Sequence, residues 1–308
     1  MSLVLVTSPR FVDHVTPVGH PERPERAEVL QAVAAAFKAQ GGEVLEPRLA
    51  TDEDLLRVHT QEHVDAIVAT RGKATMIDDD TFTSPDSDEV ARLAAGAVLT
   101  GVDRVLDGES GSRALVLVRP PGHHAEADRA MGFCLYNNIA IGAAYARSRG
   151  CARVAIVDYD VHHGNGTQWI FYEDPTVLFV SSHQYPFYPG TGASSERGRG
   201  PGLGFTLNVP LGAGAKDDEI EKAYADQVLP AVRHFKPDLL MISAGFDAHE
   251  LDPLGQLRMT SEGFGRLTKV LVKLADEVCG GKVVLVTEGG YDLKALSDCL
   301  TTVIEACR

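Results

Sequence analysis

Long apolar runs are missing from the sequence. None approaches the roughly 18 residues that a membrane helix needs, and residues 1–10 lack the basic start and apolar stretch of a signal peptide. Positive charge is scarce: 29 Lys plus Arg face 43 Asp plus Glu, for a formal net charge of −14. So acidic a chain repels phosphate backbones and anionic lipid heads, which argues against nucleic-acid or membrane-surface binding and favours cationic ligands. Cysteine is sparse too. Cys134, Cys151, Cys279, Cys299 and Cys307 are odd in number and contain no Cys-x-x-Cys, so neither a disulfide framework nor a structural zinc knuckle is expected. This pattern suits a reduced, cytoplasmic-type protein. No Pro/Gly/Ser linker, charge block or repeat divides the chain, and residues 1–308 read as one domain.

What is present is an ordinary globular composition, 44% hydrophobic and 23% charged. Short branched-aliphatic runs recur at 3–6, 44–45, 114–118, 154–157, 177–180, 205–209, 239–242 and 283–286. Most are apolar at consecutive positions, the signature of strands buried on both faces of a parallel sheet. Amphipathic stretches at 24–39, 87–106, 138–149, 216–235, 261–278 and 293–306 separate many of them and predict helices. Pro24 and Ser261 stand at helix starts, Gly41 and Gly280 at helix stops. Alternating strand and helix implies right-handed βαβ units and one eight-stranded sheet covered on both faces. Segments 78–87 and 183–204 are the least regular.

Ligands of such sheets bind beyond the carboxyl ends of the strands. Four apolar runs end in ionisable groups beside glycine: Arg119-Pro120-Pro121-Gly122-His123-His124, Asp158-Tyr159-Asp160-Val161-His162-His163-Gly164-Asn165-Gly166, Ser243-Ala244-Gly245-Phe246-Asp247 and Glu288-Gly289-Gly290-Tyr291-Asp292. Parallel strands place all four ends on one rim. Asp160 and His162, two apart in extended chain, point the same way. With Asp247 they suit a divalent cation that keeps a position open, the pattern of catalytic zinc. Two aspartates nearly neutralise such an ion, so a phenol at Tyr291 is expected to assist at the oxyanion. His123 and His124 are candidates for moving protons, with Asp158 orienting one imidazole and Asn165 the other. The set describes metal-assisted hydrolysis of a neutral carbonyl compound. His163 and His183 read as packed residues, and His14, His59, His63 and His234 as surface or packing histidines by default. Asp247-Ala248-His249 repeats the Asp-x-His spacing and raises a two-metal site, which is disfavoured because Asn165 is not a bridging carboxylate. Cys134 reads as a small buried residue.

These motifs resemble the zinc-dependent histone deacetylase family of the arginase–deacetylase fold. Further segments carry the similarity across nearly the whole chain: His20-Pro21-Glu22-Arg23-Pro24-Glu25-Arg26, Gly132-Phe133-Cys134, Asn137-Asn138, Pro189-Gly190-Thr191-Gly192 and Asp252-Pro253-Leu254-Gly255. Asn165 and the Glu288-Gly-Gly-Tyr ending are similar to the class II branch and its bacterial relatives. The resemblance implies a three-layer αβα sandwich around a parallel eight-stranded sheet. It implies one Zn²⁺ on Asp160, His162 and Asp247, His123 and His124 as the acid–base pair, and Tyr291 as oxyanion donor. Gly132 and Phe133 would line one wall of an acyl-lysine tunnel. The facing wall falls on Tyr188, where many relatives carry Phe. Arg26 would lie in an internal cavity associated with released acetate, and a structural K⁺ would sit near Asp158 and Ser181. The implied substrate is an acyl-lysine peptide or protein. The alternatives are an acetylated polyamine, disfavoured by Leu254 at the gatekeeper position, and a non-catalytic acyl-lysine binding module. Monomer and homo-oligomer both fit.

Overall fold

The structure, a computed structural model, describes Ser2 to Arg308. In chain order the first half contains β1 (Ser2–Val6), α1 (Glu25–Ala39), β2 (Glu43–Leu45), α2 (Asp52–Leu55), α3 (Gln61–Val68), β3 (Thr75–Met76), β4 (Phe82–Thr83), α4 (Ser87–Leu106), β5 (Ser112–Val116) and α5 (Asn138–Ser148). The second half contains β6 (Val154–Asp158), α6 (Asn165–Ile170), β7 (Val177–Gln184), β8 (Thr206–Leu211), α7 (Asp217–Ala223), α8 (Leu229–Phe235), β9 (Leu239–Ala244), α9 (Ser261–Val278), β10 (Val283–Thr287) and α10 (Leu293–Cys307).

All eight apolar runs are strands of one parallel sheet, ordered β2-β1-β5-β10-β9-β6-β7-β8. Alternate residues of each strand feed opposite layers. On β6, Ala155 and Val157 join the core packed by α1, α9 and α10, whereas Val154 and Ile156 join the one packed by α4 and α5. Both faces are therefore dry, which is why these strands read as unbroken apolar runs. The result is the αβα sandwich.

Helix starts follow side-chain capping. Thr60, Asn137, Thr260 and Asp292 each accept a backbone N–H in the first turn of α3, α5, α9 and α10. The cap of α9 is thus Thr260, one residue before the expected Ser261. The helix expected over 216–235 divides into α7 and α8 around a π-helical turn, Tyr224–Val228. Pro230 accounts for the break, because it has no N–H to bond the carbonyl four residues back. The hairpin β3–β4 falls partly in the irregular 78–87 segment and, like α2, α3 and α6, is too short for a periodic pattern to reveal.

The order of the sheet places the site. The four runs that end in ionisable residues are the four adjacent central strands β5, β10, β9 and β6. Their carboxyl ends share one rim, with Asp158 opposite Ser243 across β6–β9 and Thr287 opposite Ala244 across β10–β9.

Candidate active site

Asp160 and His162 follow β6, and Asp247 follows β9. The three form the group of acidic and imidazole side chains, among the described residues, that could hold a metal ion, with ligand atoms all within 4.8 Å of one another. His162 Nδ1 lies 3.1 Å from both Asp160 Oδ1 and Asp247 Oδ2. A tetrahedral ion with bonds of ~2.0–2.2 Å spaces its ligand atoms roughly 3.3 Å apart, so the donor set fits one small divalent cation. The remaining carboxylate valences are filled by backbone. Asp160 accepts from the N–H of His162 and of Gly289, each at 2.9 Å, and Asp247 accepts from that of Val161 at 2.9 Å. Burial and the neighbouring Asp160 push the Asp247 carboxyl up to about 7. Burial opposes a charge on His162, yet Asp160 and Asp247 together push its imidazole up to about 10. Two carboxylates confined in so dry a place call for a cation between them. His249, by contrast, bonds Ser261 Oγ and the N–H of Leu251.

Glycine lets the backbone close around this group. A Cβ on Gly245 would stand 2.0 Å from Asp160 Oδ2, and one on Gly289 would stand 2.1 Å from Asp247 Oδ2. Any side chain at either position would displace a carboxylate.

The turn after β5 brings His123 and His124 beside the carboxylates, ring centroids 4.1 Å apart. His123 Nδ1–H donates to Asp158 Oδ2 at 2.9 Å, and His124 Nδ1–H donates to Asn165 Oδ1 at 2.7 Å. Asn165 is oriented in turn by donating from Nδ2 to Glu126 at 2.8 Å. The two imidazoles diverge electrically. Burial works against charge on His123, but Asp158 and Asp160 outweigh it and raise its pKa well above the usual range. Burial, reinforced by His123 and His162, drives that of His124 well below. The two rings therefore favour opposite charge states, His123 charged and His124 neutral.

A pocket of about 110 Å³ opens over the group, lined by Asp80, His124, Gly132, Phe133, His162, Tyr188, Leu254 and Tyr291. Phe133 has φ 68° and follows Gly132 at φ 57°. A left-handed phenylalanine costs ~1–3 kcal/mol and persists where surroundings hold it; here Thr81 Oγ1 accepts its N–H at 3.1 Å. A Cβ at Gly132 would meet the His124 ring at 2.5 Å. Tyr188 meets His124 edge-on at 5.2 Å and is 38% exposed, so this wall is the open one. Tyr291 meets Phe133 edge-on at 5.8 Å, and burial lifts its phenol well above the usual range. Behind it the Arg26 guanidinium lies 5.0 Å from the ring centroid. Arg26 donates to the carbonyls of Gly290 and Glu288 and to Glu22 Oε1, so it is engaged on every nitrogen. Ser181 sits opposite Asp158 in the sheet and bonds His183 Nδ1 at 2.9 Å.

Several groups that build the site escape a reading of residue spacing. Glu288 carries no role in the motif, yet its carboxylate accepts from the N–H of Gly122 and His123 at 2.7 and 3.1 Å and from Ser243 Oγ at 3.0 Å, fixing the turn that carries the histidines. Phe187, beside Tyr188, stacks on the His162 ring at 5.4 Å and 15°. Asp80 contributes to the pocket from the irregular segment, its carboxyl raised by burial and by Asp78. An acid directly after an apolar run was the available signal for Glu288; the other two stand in loops with no pattern.

Fold and site together define a parallel-sheet α/β protein with a buried group of two aspartates and a histidine at the sheet's carboxyl edge that could hold a metal ion. Sequence comparison narrows the class: the histone deacetylase domain matches residues 20–307, and the chain belongs to that family. It is 43% identical over 296 residues to Histone deacetylase 15 of Arabidopsis thaliana, covering 93% of this chain and 52% of that protein, so it spans about half of that relative. It is 39% identical over 293 residues to a probable deacetylase of Archaeoglobus fulgidus, covering 94% and 81% of the two. The crystal structure of the HDA15 HD domain superposes with a TM-score of 0.92 at 40% identity, covering 99% of this chain and 89% of that one. No described helix is long and apolar enough to cross a membrane.

Proposed function

We propose that the chain is a zinc-dependent amidohydrolase that removes acetyl or other acyl groups from lysine side chains, acting as one catalytic domain. The observation that carries this reading is the meeting of Asp160 and Asp247 with His162, which itself lines a pocket walled by Phe133 and Tyr188. These three residues would hold the zinc, which when bound supplies Lewis acidity toward an amide carbonyl and toward water. Phe133, Gly132, Tyr188 and Leu254 bind and align the aliphatic chain of the acyl-lysine and exclude bulk water. His124 lines the pocket, and its Nδ1–H is committed to Asn165, so Nε2 is the nitrogen able to accept a proton from the attacking water. That proton passes to the departing amine nitrogen as the C–N bond breaks. His123, held by Asp158 and absent from the pocket lining, keeps positive charge beside the reaction. Tyr291 donates its phenolic proton in a hydrogen bond to the carbonyl oxygen as charge develops there. A monovalent cation such as K⁺ beside Asp158 and Ser181 is part of the same reading, supported by their facing positions on β6 and β7. Five unpaired cysteines favour a reducing compartment such as the cytoplasm.

A second reading, hydrolysis of acetylated polyamines, is favoured by the Asp80 carboxyl in the pocket lining and the acidic net charge. Competing turnover of a fluorogenic acetyl-lysine peptide and of acetylputrescine separates the two. The lysine reading predicts a kcat/KM at least about tenfold higher for the peptide, and a Tyr291→Phe variant that loses about 10²–10³ in kcat. Preference for acetylputrescine would transfer the assignment to polyamines. Equal, negligible turnover by wild type and variant would favour a binding module.

A further inference from the structure

Tyr291 follows two glycines, Gly289 and Gly290, the latter at φ 122°, whose backbone is held on one side by Asp160 at the Gly289 N–H and by Arg26 at the Gly290 carbonyl. What fixes it from the opposite side is Asp252, a buried residue on the loop after Asp247. Asp252 Oδ2 accepts from the N–H of Tyr291 at 2.6 Å and from that of Asp292 at 3.2 Å. Its Oδ1 accepts from the N–H of Leu254 at 3.0 Å. One carboxylate thus joins the start of α10, the tyrosine and the Leu254 wall. Asp292 caps α10 through its own side chain, so the N–H groups just ahead of the helix need an outside acceptor. A buried charged acceptor is among the stronger single hydrogen-bonding groups a protein provides.

We propose that Asp252 is a positioning residue: its carboxylate sets where the Tyr291 phenol stands relative to the Asp160–His162–Asp247 group. The proposal rests on the reading of Tyr291 as the oxyanion donor. Asparagine at this position keeps one acceptor and turns an NH₂ toward the remaining N–H groups, which releases one of the two segments. Small displacements of a group that acts on the transition state cost rate rather than binding.

The test is a double-mutant cycle on zinc-loaded protein with a fluorogenic acetyl-lysine peptide, reading kcat, KM, zinc content and thermal midpoint. Asp252→Asn should lower kcat by about 10- to 100-fold and change KM by less than about threefold, with zinc content unchanged. In a Tyr291→Phe background the same substitution should cost less than about twofold, because the group it positions is already gone. If Asp252→Asn does not fold, Asp252→Glu keeps the buried charge and shifts it by one methylene. It should show the same loss of kcat and the same non-additivity. Wild-type kcat in the folded variants, or a full additive loss in the Tyr291→Phe background, would overturn the proposal. Unchanged kcat in Tyr291→Phe alone would instead overturn the reading on which it rests.

Discussion

The His59–His63 and His123–His124 pairs are both buried and both packed ring on ring, with centroids 4.7 Å and 4.1 Å apart. They differ in where their nitrogens go. His59 donates from Nδ1 to the Glu126 carbonyl and accepts at Nε2 from the Asn137 N–H, and His63 Nε2 donates to the Leu135 carbonyl. His123 and His124 commit Nδ1 to Asp158 and Asn165, and the His124 ring then faces the pocket. In the first pair His59 spends both ring nitrogens on backbone and His63 spends Nε2; in the second each ring spends Nδ1 on a side chain, and His124 lines the pocket. His163 and His183, like His59, have both ring nitrogens bonded, to Thr191 and Gln168 and to Ser181 and the Gly192 carbonyl. Burial and pairing alone therefore do not mark a catalytic histidine. What sets His124 apart is its place in a pocket lining with one ring nitrogen committed.

The difference is sharpest in the effect of removing a ring. His124→Ala should lower kcat by about 10²–10⁴ while the thermal midpoint changes little, because the pocket-facing nitrogen supports chemistry rather than packing. Steady-state kinetics beside a melting curve checks both halves. A variant that keeps its activity would erase the distinction between the pairs.

The smaller effect falls on stability and its pH dependence. Burial, with repulsion from His63, lowers the pKa of His59 to about 3. The unfolded chain takes up a proton near the ordinary value of about 6.5, whereas the folded chain does not. Stability is therefore full above about pH 6.5 and is lost as pH falls from there toward 3, by up to about 1.4 kcal/mol per pH unit for this one group. The mechanism is visible in the bonds, since a proton on Nε2 would face the Asn137 N–H. Urea unfolding of wild type and His59→Gln between pH 7 and 4 should show a shallower acid slope in the variant, with kcat of the folded protein within about threefold of wild type. An unchanged slope would mean that His59 is not held neutral.

Much of this molecule is legible in its sequence because a sheet dry on both faces leaves no room for polar residues. Runs such as Val154–Asp158 and Val283–Thr287 announce themselves, and the acids and histidines directly after them stand out by contrast. The boundaries of α4 were equally plain, with acidic residues in its first turn and apolar residues along most of its length. Other features were hidden because they arise only when distant segments meet. The Glu288 carboxylate binds N–H groups 165 and 166 residues away, and Asp252 reaches Tyr291 across 39. The ring that stacks on His162 is Phe187, a loop residue whose neighbour Tyr188 looks equally suitable until the loop is folded. The π-helical turn before Pro230 needed a preference for strain over termination that composition does not encode.

The account depends most on one ion seated among Asp160, His162 and Asp247. Anomalous diffraction at the zinc edge, from crystals of metal-replete protein, tests it directly. The expected result is a peak enclosed by those three side chains that disappears in Asp247→Ala along with activity. Full zinc occupancy and turnover in Asp247→Ala, or a peak elsewhere with the three donors empty, would contradict it.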